Sequence, residues 1–106
     1  MYASVRRYRV AQGTIDELMH RVDTGFAERI SSQPGFCSYQ AIAVGDTECV
    51  TISCFREEDD AHGSADVAAE WIKEALGDMD IERRDAVSGE VMVSRAVSEV
   101  LEPAHH

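Results

Sequence analysis

Phe36-Cys37-Ser38-Tyr39-Gln40-Ala41-Ile42-Ala43-Val44-Gly45-Asp46-Thr47-Glu48-Cys49-Val50-Thr51-Ile52-Ser53-Cys54-Phe55-Arg56 decides how this chain folds. Its two halves, Phe36–Val44 and Thr47–Arg56, are rich in β-branched and aromatic residues. Gly45-Asp46 splits them, which reads as two strands joined by a two-residue hairpin turn. Upstream, Ile15, Leu18, Met19, Val22, Phe26 and Ile30 recur at helical spacing. Thr14, three residues before Glu17, is a capping box that starts this helix. Ser31-Ser32-Gln33-Pro34-Gly35 stops it, because proline cannot continue the ladder and glycine tolerates a tight turn.

Further upstream, Tyr2–Val10 alternates as a strand. Ala3, Val5, Arg7 and Arg9 form one side, Tyr2, Ser4, Arg6, Tyr8 and Val10 the other, and the pattern leaves open which faces inward. Downstream, Ala61–Met79 is amphipathic, Asp80–Ala86 reads as a charged connection, and Val87–Arg95 alternates again. Glu57-Glu58-Asp59-Asp60 sits where this second helix begins, and carboxylates there complement the helix dipole. Consecutive positions point to different sides of a helix, so the run is a poor metal site. The order is β-α-β-β-α-β, an α+β ferredoxin-like domain with an antiparallel sheet. Residues 1–97 form the domain and residues 98–106 a tail. Its own helices cover one face of the sheet, so the other needs a partner or a ligand.

In the second hairpin strand, Val50, Ile52 and Cys54 are expected on the buried face. Cys49, Thr51, Ser53 and Phe55 make a semi-polar face better suited to a cavity.

The net charge of −10 is lopsided, with −1 in residues 1–53 and −9 in residues 54–106. That field repels a phosphate backbone and argues against nucleic acid as a partner. No apolar run approaches the ~20 residues of a membrane span, and Arg6, Arg7 and Arg9 interrupt the first strand. The expected compartment is the cytoplasm, with no membrane partner. Three cysteines, Cys37, Cys49 and Cys54, lack CxxC spacing and read as small buried thiols. No P-loop, Rossmann fingerprint, nucleophile elbow or HExxH is present, and no cofactor is called for.

Gln33-Pro34-Gly35-Phe36-Cys37-Ser38-Tyr39, entering a strand after an amphipathic helix, resembles the antibiotic-biosynthesis monooxygenase family of dimeric α+β barrel proteins. Ala68-Ala69-Glu70-Trp71-Ile72-Lys73-Glu74-Ala75-Leu76 is similar to that family's second helix, and Gly89-Glu90-Val91-Met92-Val93 to its last strand. The resemblance covers about residues 2–96. It implies a homodimer that joins open sheet faces into a barrel, with a pocket in each half between sheet and helices. It also implies a cofactor-independent monooxygenase acting on an aromatic or polyketide-type small molecule, the alternative being a non-catalytic small-molecule-binding or stress-related module. The chain contains no asparagine, so the polar residue that the family's haem-degrading and quinone-forming branches use is missing.

Under that reading His62, Tyr39 and Trp71 are the catalytic candidates. Trp71 would wall a flat substrate, Tyr39 would donate its phenol to an oxyanion, and His62 would act as base. Arg6, Tyr8, Ser38, Gln40 and Phe55 are the substrate-binding candidates, an arginine serving either to pair across the sheet or to recognise an anion. The plainer readings are a core aromatic for Trp71, structural hydroxyls for Tyr8 and Tyr39, and a solvated side chain for His62.

Overall fold

The computed structural model describes residues 1–96; the expected tail, residues 98–106, lies outside them. The chain runs β1 (Tyr2–Val10), α1 (Ile15–Arg21), a π-helical stretch (Val22–Phe26), α2 (Ala27–Ser31), β2 (Phe36–Val44), β3 (Glu48–Phe55), α3 (Glu58–Ala75), a 3-10 turn (Gly77–Met79) and β4 (Ile81–Glu90). The four strands form one sheet in the order β2-β3-β1-β4, every neighbouring pair antiparallel. This α+β arrangement is compatible with a ferredoxin-like fold.

The first helical rod shows how sequence sets local geometry. Its buried residues, Leu18, Val22, Phe26 and Ile30, are spaced four apart throughout. In an α-helix of 3.6 residues per turn, each four-residue step drifts by about 40°, so three steps would rotate the stripe off the sheet. The π-helical stretch adds a residue to one turn and absorbs the drift; the Ala27 N–H donates five residues back to the Val22 carbonyl. Thr14 caps the start, accepting from the Glu17 N–H at 3.1 Å. The reciprocal half of the box is absent, because Glu17 pairs instead with Arg21 at 2.8 Å.

The hairpin loop is one residue longer than expected. Val44 pairs with Glu48, leaving Gly45-Asp46-Thr47 outside the ladder. Thr47 is taken up elsewhere, its carbonyl accepting the Val10 N–H of β1 at 2.7 Å. Gly45 supplies the positive φ of 64° that opens the loop.

The last strand starts earlier than its sequence pattern predicts. Ile81–Ala86, read as a connection, is the first half of β4, and Val91–Ala96 carries no regular element. Two physical causes hid it. β4 is an edge strand exposed from Glu82 to Glu90, so it holds charges on both sides. A β-bulge at Arg84 also breaks the alternation: Asp85 pairs with Arg7, and Arg83 with Tyr8.

The two sheet faces are assigned opposite to expectation in β3. Cys49, Ser53 and Phe55 are buried beneath the helices, whereas Val50, Ile52 and Cys54 are half-exposed on the uncovered face. Parity separates the faces correctly; hydrophobicity alone picks the wrong one as internal. A second bulge, at Cys37, turns Phe36 to the helix side, where it packs edge-on to Phe55 at 5.9 Å. α2 lies mainly over β2, and α3 over β3 and β1, so β4 is left at the uncovered margin. No helix is long and apolar enough to cross a membrane.

Candidate functional site

Between the sheet and the helices the interior divides into two halves of different character. On the β2–β3 side Phe26 sits at the centre of an aromatic group. Its ring lies 5.3 Å from Tyr39, edge-on at 71°, and 5.2 Å from Trp71, tilted at 45°. Gly25 in the π-helical stretch eases this packing, because a Cβ there would stand 3.3 Å from the Trp71 indole and the ring would have to give by a few tenths of an ångström. Trp71 and Phe26 are buried, and with Tyr8, Tyr39 and Arg6 they wall a cavity of about 30 Å³. That volume admits water but no ring.

On the β1–β4 side α3 presents alanine rather than aromatic side chains, and a cleft remains. One lobe, about 370 Å³, lies among Arg6, Tyr8, Ala65, Ala69, Ile72 and Arg83. This is the size range of small-molecule sites. A second, polar lobe of about 170 Å³ is lined by Tyr2, Ser4, Arg6, His62, Arg83 and Ser88, among others. Arg6 lines both lobes and the aromatic cavity.

Electrostatics mark Arg6 out. Arg7 pairs with Glu48 at 2.6 Å on the uncovered face, Arg21 with Asp78 at 2.7 Å, and Arg84 with Glu82 at 3.0 Å. Among the described residues, no carboxylate lies at ion-pair distance from Arg6 or Arg83. A half-buried guanidinium without a counter-ion is costly unless something supplies negative charge. Burial pushes the Tyr39 phenol well above its ordinary range and also raises Tyr8, against the opposing charge of Arg6 and Arg83. Both tyrosines are therefore neutral hydrogen-bond donors at pH 7. Burial likewise pushes the Cys49 thiol up to about 11, which makes it inert rather than nucleophilic.

Of the residues proposed from sequence, Arg6, Tyr8, Tyr39 and Trp71 come together around one cavity. His62 lines the polar lobe from α3, exposed, with Nε2 3.7 Å from Glu58 and its ring 6.0 Å from that of Tyr2. It is thus separated from Tyr39 and Trp71, which line the aromatic cavity and not this lobe. Ser38 and Gln40 pair with Cys54 and Ile52 and so lie on the uncovered face, away from the cleft. Phe55 is fully buried against Phe36 and contributes to none of the three cavities.

Sequence reasoning missed Arg83, Ser4 and Ser88. Arg83 stood in the segment read as a connection, where a register shift has no visible signature. Among the described residues no group of three or more His, Cys, Asp and Glu side chains is placed to hold a metal ion. No protein-family model matches this chain, and no curated protein resembles it at a significant level.

Proposed function

We propose that this protein binds a flat, weakly acidic aromatic molecule in the cleft between α3 and β1–β4. Two copies join through their uncovered sheet faces. The observation that carries the reading is Arg6: half-buried, without a described carboxylate partner, and shared by all three cavities. An anion such as a phenolate would supply the missing charge, with Tyr8 as a neutral donor beside it and Ile72 as apolar wall. The second copy is supported by the uncovered face, where Val5, Ile42, Val50, Ile52 and Val87 cluster by register. Ile42 is 45% and Val87 62% exposed. Apolar area of that kind favours association.

A second reading is favoured by the same arginine. Cofactor-independent oxygenation requires a site that stabilises a deprotonated phenol, whose electron-rich carbon then reacts with oxygen. Arg6 and the neutral Tyr8 line the cleft and are groups of the right kind, and the resemblance to antibiotic-biosynthesis monooxygenases points the same way. His62, in the polar lobe, is the base available there.

Isothermal titration calorimetry gives the test, because Trp71 lines the closed aromatic cavity and not the cleft. Titration with 1-naphthol should give a saturable heat, and Arg6→Gln should weaken binding at least tenfold. No saturable response overturns the binding reading. Oxygen uptake with a dihydroxynaphthalene, lost in Tyr8→Phe, would establish the oxygenase; binding with only background uptake would establish a non-catalytic module.

A further inference from the structure

The β-bulge at Arg84 decides where Arg83 points. In a regular strand side chains alternate, so with Ala86 on the helix side and Asp85 on the uncovered side, Arg84 would face the helices and Arg83 would not. The register shift places the extra residue at Arg84 and pairs Arg83 with Tyr8, whose side chain is on the helix side. Bulges commonly re-aim a side chain in this way. The result is that Arg83, from the edge strand, and Arg6, from the central strand, line the same two lobes. They are diagonal neighbours across the β1–β4 ladder.

We infer that Arg6 and Arg83 together form a carboxylate subsite, and that the ligand of this cleft is an aromatic carboxylate. This rests on the binding reading above and adds the ligand's anionic group. Three features converge on it. Two guanidiniums share one cleft and, among the described residues, neither has a carboxylate partner, although Arg6 is half-buried. Planar guanidiniums match the two oxygens of a carboxylate geometrically, which a single phenolate oxygen cannot exploit. The lobes on either side also differ as the two ends of such a ligand would: Ala69, Ile72 and Ile81 line the larger one, Ser4 and Ser88 the smaller.

The test compares three probes of one shape: 1-naphthoate, its neutral isostere naphthalene-1-carboxamide, and 1-naphthol, each titrated calorimetrically into the intact protein. The expected result is 1-naphthoate at least tenfold tighter than the carboxamide. Arg83→Gln should erase that preference, read as the ratio of naphthoate to carboxamide affinity within the same variant. Arg83 is exposed on an edge strand, so this variant keeps its fold, checked by circular dichroism. Arg83→Lys should restore only part of the preference, since a point charge lacks the planar fork. Equal binding of naphthoate and carboxamide, or a preference that survives in Arg83→Gln, overturns the carboxylate subsite while 1-naphthol binding leaves the broader reading standing. Failure of all three probes overturns both.

Discussion

The two halves of the covered sheet face differ in what the helices offer them. Over β2 and β3, the first helical rod and α3 supply Phe26 and Trp71, and the interior closes to a space of about 30 Å³. Over β1 and β4, α3 supplies Ala65, Ala68 and Ala69, and about 370 Å³ stays open beside two arginines. One helix serves both halves by carrying its large and small residues on different sides. The lesson is that side-chain size along α3, more than the backbone fold, separates a closed half from an open one.

Trp71→Ala should break the closed half most severely. Removing a buried indole packed on Phe26 and Gly25 should cost about 3–5 kcal/mol, read as a fall in chemical or thermal midpoint. A loss below about 1 kcal/mol would mean that the aromatic group is not the anchor of the fold.

Ala65→Leu should give the opposite pattern. Ala65 lines both lobes of the cleft, so a larger side chain fills space where nothing else packs. Stability should change by less than about 1 kcal/mol, the range usual for substitutions outside a packed core. 1-Naphthol binding should fall at least tenfold, which calorimetry would detect. A variant that binds normally would place the ligand elsewhere.

High pH probes the closed half more gently. In the unfolded chain Cys49 ionises near 9.0, whereas burial holds it to about 11 in the folded one. The folded state then binds the proton more tightly, so stability is lost as pH rises from about 9 to 11. Tyr39, raised in the same direction by burial, extends the loss to higher pH. Cys49→Ala should reduce the decline between pH 9 and 11 in a series of denaturant melts; an unchanged decline would exclude the thiol as its source.

The smallest effect belongs to the surface. Arg21 hydrogen-bonds the Asp78 carboxylate and holds its pKa below the ordinary value. A depressed carboxylate contributes stability at neutral pH that fades as pH falls below about 4. Asp78→Asn should flatten this part of the acid limb only slightly, because the pair is solvent-screened. A large change would show that it anchors the turn at Gly77–Met79.

Most of the architecture was legible because periodicity reports local structure directly. The hairpin, both helical rods and β1 follow from period-2 and helical patterns, and Thr14 from its capping spacing. Part of the error has one cause: a sheet's register is a relation between strands, which one strand's pattern does not contain. The bulges at Cys37 and Arg84 re-aimed Phe36 and Arg83, and the charged edge concealed half of β4. Choosing the buried face of β3 failed because aliphatic residues were assigned inward, whereas Val50 and Ile52 lie on the face without helices. For the site, Arg6, Tyr8, Tyr39 and Trp71 could be named from residue type and the family resemblance, without knowing which face of β1 turns inward. Arg83 could not, and Ser38 and Gln40, read as lining a cavity, lie on the uncovered face.

The most direct test of the cleft as a binding site is an amide NMR titration of the ¹⁵N-labelled protein with 1-naphthoate. The account predicts shifts concentrated at Arg6, Tyr8, Ala65, Ala69, Ile72 and Arg83, with Ser38, Gln40 and Ile52 on the far face unmoved. Shifts confined to the uncovered face, or none at saturating ligand, would contradict it.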